Sequence, residues 1–152
     1  MSHTDFLESL GVIDLISEKH KQLRHETMTR IKKHFEEKFS VTDIYLISLI
    51  QHHSISLSEA ARYMKVSRQA VHKQANHLID LGLVTHTISE ENRKKKLITL
   101  TKTGTQLSMQ INMIKNELEV ELENELGSKY YHKIKALLKA DWQLEKNGPG
   151  FQ

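Results

Sequence analysis

Two short amphipathic segments that meet at Val66-Ser67, followed at once by two β-prone runs, constrain this chain more than any other feature. In the first segment Leu57, Ala60, Ala61 and Met64 fall at i, i+3, i+4 and i+7, which makes one apolar helical face. Ser56, or Ser58, caps it, and Glu59 three residues after Ser56 completes a capping-box pattern. Val66 breaks that phase, and Ser67 can cap a second helix with Val71, Ala75, Leu78 and Ile79 turned inward and Gly82 as its stop. Ala60, Ala61 and Ala75 are small enough for two helices to cross closely, as a helix-turn-helix demands.

With that stripe inward, the second helix shows Arg68, Gln69, His72, Lys73 and Asn76 on its other face. Arginine suits guanine edges, and glutamine and asparagine suit adenine edges. A reading helix uses chiefly its N-terminal half, which selects Arg68, Gln69, His72 and Lys73 for bases. Ser67 and Asn76 are placed for the phosphate backbone. Behind this helix, residues 83–88 and 96–100 predict two strands, joined by the charged loop from Ser89 to Lys95. Such a hairpin is a wing. Its tip residues Asn92, Arg93, Lys94 and Lys95 would follow the DNA backbone or enter a minor groove.

From about Ser40 to Gly104 the chain resembles the winged-helix core of the MarR family of bacterial transcription regulators. The resemblance rests on Leu57-Ser58-Glu59-Ala60-Ala61, Val66-Ser67-Arg68, the run from Leu78 to Val84, and the run from Leu97 to Gly104. Two positions depart from the family pattern. Lys65 stands at a turn where the family often has glycine, and Asn92-Arg93-Lys94 stands where its wing usually carries Asp-x-Arg. The resemblance implies a dimer on a pseudo-palindromic operator, with a small lipophilic effector bound between a dimer layer and the winged lobes. On this chain the effector crevice would draw on Phe35, Phe39, Tyr45 and His52.

Charge follows the same division. Residues 56–104 hold nine Lys and Arg against four Asp and Glu, and the rest of the chain holds 13 against 15. The basic excess therefore coincides with the reading helix and wing, the footprint of a module that docks on phosphates. With no cysteine, disulfides and thiolate metal sites are excluded. The longest apolar run, Ile44 to Ile50, is too short to span a membrane, and no signal pattern opens the chain, so a cytoplasmic location is expected.

Only 38% of the 152 residues are hydrophobic, little for a self-contained globule of this length. Long helices that bury against a second copy would account for it. Residues 4–38 predict one long helix or two with a break, with Phe6, Leu7 and Leu10 as an apolar patch near its start. A supporting helix is expected from about Asp43 to His53, with Ile55 pairing beside Ser56. Leu107, Ile111, Ile114, Leu118, Leu122 and Leu126 form a five-turn stripe, and Tyr130, Ile134, Leu137, Leu138 and Trp142 mark a last helix. Phe6, Leu7, Leu10, Ile114, Leu118, Leu122, Ile134, Leu138 and Trp142 are thereby assigned to a dimer interface.

The expected fold is mainly α with a small β-hairpin wing, a winged helix-turn-helix core plus a helical dimerisation layer. Residues 1–39 and 105–146 would form that layer, 40–104 the core, and 147–152 a frayed tail. The expected function is a homodimeric repressor that binds double-stranded DNA, without cofactor, metal or membrane. Two rival readings remain: a winged-helix protein-interaction module, and a metal-responsive regulator using His20 and His25, or His52 and His53 with Asp43 or Glu26. Enzyme chemistry is not expected, since no nucleophile elbow, phosphate-cradling glycine loop or paired-carboxylate cleft is present.

Overall fold

The structure is a computed structural model and describes residues 2–144. The chain divides into two compact units between Val41 and Thr42. The first unit holds α1 (His3–Glu8) and α2 (Val12–His34). Of the two readings of residues 4–38, one long helix or two with a break, the structure has the break. Ser2 and Asp5 form a reciprocal capping box at the start of α1, and Gly11 in extended geometry opens α2. The polar middle of α2 is held by pairs along its own surface, Lys21 with Glu18 and Arg30 with Glu26. Ile31 and Phe39 are buried, while Val12 and Ile13 near the start of α2 are exposed.

The second unit runs α3 (Val41–Ile50, its first residue being the last of the first unit), α4 (Leu57–Met64), α5 (Arg68–Asp80), β1 (Val84–Ile88), β2 (Lys96–Leu100), α6 (Lys102–Leu126) and α7 (Ser128–Lys139). Two ends differ from expectation. α3 stops at Ile50 rather than His53. α7 stops at Lys139, and Trp142 lies past it with its indole Nε1 donating to the Leu137 carbonyl at 2.8 Å. Residues 147–152, assigned to a frayed tail, lie outside the described residues.

Ile44, Leu46, Ile47, Ile50, Val71, Leu78, Ile98 and Ile111 make up much of the core. Ala60 and Ala75 are fully buried where α4 and α5 pack, so methyl side chains set the close approach. Lys65 turns the chain between them in the left-handed region, φ 54° and ψ 43°. The left-handed turn is thus made without a glycine, at a cost of about 1 kcal/mol for a residue with a Cβ.

β1 and β2 pair antiparallel, with Val84 opposite Leu100 and Ile88 opposite Lys96. Ile55 adds a third, one-residue rung. Its N–H donates to the Ile98 carbonyl at 3.3 Å, and the Ile98 N–H donates back at 2.8 Å. The hairpin is therefore stitched to the residue just before α4.

The start of α6 is fastened to the turn after α5. Thr101 caps Gly104, its hydroxyl donates to the Gly82 carbonyl at 2.6 Å, and its N–H donates to the Leu83 carbonyl at 3.0 Å. Ile114, expected at a dimer interface, is only 5% exposed within a single chain. The first half of the α6 stripe is core, and only from Leu118 onward is it half-buried or exposed.

Candidate nucleic-acid interface

The outer face of α5 begins at Ser67, whose hydroxyl accepts the Ala70 N–H at 3.1 Å. Arg68, Gln69, His72, Lys73 and Asn76 are all exposed, while Val71, Ala75 and Leu78 on the opposite face are buried. The division between inward and outward residues is the one the helical period predicts. The five outward residues, with Leu57 at the start of α4, line an open groove of about 580 Å³. Because Ser67 serves as the cap, its hydroxyl already has a partner inside the protein.

Behind α5, a part-buried contact joins the helix to α3. Asp43 on α3 is buried and accepts from the Gln74 side-chain amide at 3.3 Å. Gln74 is the polar residue between the outward face and the core stripe, and its role was not visible from periodicity. Elsewhere in this unit the Lys115 ammonium of α6 donates to the Ser48 hydroxyl of α3 at 3.2 Å. Burial pushes the Lys115 amine below its ordinary value.

The wing tip is ordered by its own backbone. The Ser89 N–H donates to the Lys95 carbonyl at 3.0 Å, and the Lys95 N–H donates to the Asn92 carbonyl at 2.9 Å. The Asn92 side-chain oxygen accepts the Lys94 N–H at 3.1 Å, an Asx turn. Where the family pattern has an acidic residue, asparagine here shapes the turn that carries Arg93 and Lys94, both exposed.

Lys95 is placed differently from its two neighbours. It is half-buried, and its ammonium lies 3.1 Å from Oε1 of Glu59 on α4. The other carboxylate oxygen of Glu59 accepts the Ser56 N–H at 2.8 Å, closing the predicted capping box. Sequence reasoning found the capping box but not the ion pair, which joins residues 36 positions apart.

The Glu59 carboxyl is held below its ordinary value of 4.5, chiefly by the Ser56 N–H; partial burial opposes this and Lys95 adds to it. A carboxyl lowered by folding stabilises the fold above its unfolded value, and that contribution is lost as pH falls through the lowered folded value. Acid titration of the urea midpoint is therefore expected to fall less steeply in Glu59→Gln than in the parent below about pH 5. Parallel curves would mean that Glu59 titrates alike in the folded and unfolded chains.

The four residues assigned to an effector crevice fall in separate units, Phe35 and Phe39 in the first and Tyr45 and His52 in the second. Phe35 and Phe39 meet edge to face with centroids 6.1 Å apart. Tyr45 is exposed and its hydroxyl lies 3.4 Å from the Tyr63 carbonyl, and His52 is exposed. Among the described residues no three His, Asp or Glu side chains come together as a metal site. Among the described residues no helix is long and apolar enough to cross a membrane.

Residues 38–95 match the sequence model of the MarR family. No curated protein matches the chain. Among solved structures the fold is similar to the Staphylococcus aureus MepR–DNA complex, at 15% identity and TM-score 0.68 over 86% of this chain and 95% of that one. It is also similar to wild-type apo MarR from E. coli, at 18% identity and TM-score 0.65 over 84% and 92% of the two chains. YusO from Bacillus subtilis aligns at 16% identity and TM-score 0.63, over 92% of this chain and all of that one. The segment that resembles the MarR family takes in the helix-turn-helix and the wing loop, and the similarity of fold to the solved structures extends over the helices on both sides.

Proposed function

We propose that the protein binds double-stranded DNA as a homodimer on a pseudo-palindromic operator and represses transcription there, with a small lipophilic effector modulating its affinity. The observation that carries this reading is the exposed polar row on α5, Arg68, Gln69, His72, Lys73 and Asn76, in the same unit as a wing that exposes Arg93 and Lys94. In this reading the first four read base edges in a major groove, Ser67 and Asn76 set the backbone register, and Arg93 and Lys94 reach the backbone or minor groove. Asn92 shapes the wing turn for them. One of the similar structures, MepR, is a complex with DNA, which supports the assignment.

Dimerisation is supported by α7. Tyr130, Ile134, Leu137 and Leu138 fall at i, i+4, i+7 and i+8, yet all four are exposed in the single chain. A 12-residue helix that buries no residue is marginal by itself, so a second copy is the natural cover. Leu118 and Leu122 on α6, Trp142 beyond α7, and Phe6, Leu7 and Leu10 in the first unit are the further residues assigned to that interface.

Selection from a randomised duplex pool at two salt concentrations tests the function. Enrichment of an inverted repeat, with affinity that falls steeply with salt, is the expected result. A folded protein that binds no duplex at low salt would sink the reading and favour a protein-interaction module. On the selected site, Arg68→Ala is expected to cost about 1–3 kcal/mol and to relax discrimination at one base pair. Equal weakening on operator and random DNA would instead make Arg68 a backbone contact.

A further inference from the structure

Glu59 stands at a junction of three elements. It closes the capping box of α4 through the Ser56 N–H and holds the Lys95 ammonium at the base of the wing tip. Four residues before it, Ile55 exchanges both backbone hydrogen bonds with Ile98 of β2. The hairpin is thus attached to the start of the helix-turn-helix at two points, a backbone rung and an ion pair. The rung lies at the middle of the hairpin and leaves its tip free to pivot. The ion pair acts two residues from Arg93, where such a pivot would move the tip most.

We infer that Lys95 is a positioning residue that braces the wing against α4 through Glu59, rather than a phosphate contact. This inference rests on the DNA-binding reading. The same Asx turn that exposes Arg93 and Lys94 leaves Lys95 half-buried and turned to the protein. Its charge is then offset by Glu59, so it adds little to the field that attracts phosphates. Its contribution is to hold two exposed cations at a fixed distance from the reading helix, reducing the freedom the wing loses on binding. Wing cations contribute to affinity only when they reach the duplex while α5 lies in its groove.

The two roles predict opposite responses to Glu59→Gln. Glutamine still accepts the Ser56 N–H and so keeps the capping box, but it presents an amide N–H₂ to Lys95 and loses the ion pair. Under the positioning role, Glu59→Gln and Lys95→Met each weaken operator binding about twofold to fivefold, the range for a partly exposed pair. The double variant is then no weaker than either single one, and the salt slope keeps its parent value. Under the contact role, Glu59→Gln frees a cation and binding tightens or stays unchanged, while Lys95→Met lowers the salt slope by about one.

Tight or unchanged binding by Glu59→Gln at about 0.15 M salt, a screening regime of about 8 Å, overturns the inference. A parent protein that binds no duplex at all would overturn the DNA reading instead. The brace is then still read by amide exchange at Ser89 and Lys95, whose N–H bonds close the tip. Faster exchange in both single variants supports the brace, and unchanged exchange removes it.

Discussion

Gly104→Ala is expected to destabilise the fold by about 3 kcal/mol or more, although alanine is the better residue in almost any helix. The reason is local. A Cβ at this position would overlap the Leu83 carbonyl oxygen and sit 2.9 Å from its carbon, both backbone atoms. No rotamer change relieves such a contact, so either α6 or the turn after α5 must shift. Thr101 resists that shift through its bonds to Gly82 and Leu83. For a domain of this size the loss corresponds to a melting temperature lower by roughly 6–12 °C. A variant that melts within 2 °C of the parent would show that α6 does not press on Leu83 in solution. Because this contact joins α6 to the end of the reading helix, a surviving but shifted variant should also bind DNA less well.

Leu138→Asp is expected to do the reverse, sparing the monomer and abolishing the dimer. Leu138 is 63% exposed in a single chain, so its removal costs the isolated fold little. At an interface between two copies, each loses about 2 kcal/mol or more of apolar burial, and the two-fold axis counts the change twice. The dimer would weaken by roughly a thousandfold, before any cost of burying the new carboxylate. Sedimentation equilibrium with unchanged far-UV circular dichroism is the measurement. A variant still dimeric at the parent's concentration would place the interface elsewhere, and a monomeric parent would reject the dimer itself. Operator affinity should fall with the dimer, since one reading helix then binds without its partner.

Much of the winged core was legible because its signals are local. A cap needs only residues three apart, and Ser56 and Ser67 each cap the helix their spacing predicts. The 3.6-residue period separated Val71, Ala75 and Leu78 from Arg68, Gln69, His72 and Lys73, because an inward face follows from where apolar side chains recur. The hairpin needed only two β-prone runs and a polar loop between them. Where the outcome depended on a neighbour distant in sequence, the period was ambiguous. Ile114 and Leu118 lie on one continuous stripe, yet the first is buried within the chain and the second is half-buried.

Lys94 and Lys95 make the same point at the wing. As letters they are equivalent, adjacent cations at a loop tip. The Asn92 turn and the carboxylate of Glu59 separate them, exposing one and tying down the other. The amino-acid sequence by itself determined the helices, their caps, the hairpin and the face that α5 turns outward, because these depend on residues within a turn or two of each other. Only the tertiary structure decided which cation is held by Glu59, that Asp43 accepts a hydrogen bond from Gln74 of α5, and that Gly104 must lack a Cβ. Each of those depends on atoms brought together by packing from positions about 20 to 36 residues apart, a separation across which no local pattern carries information.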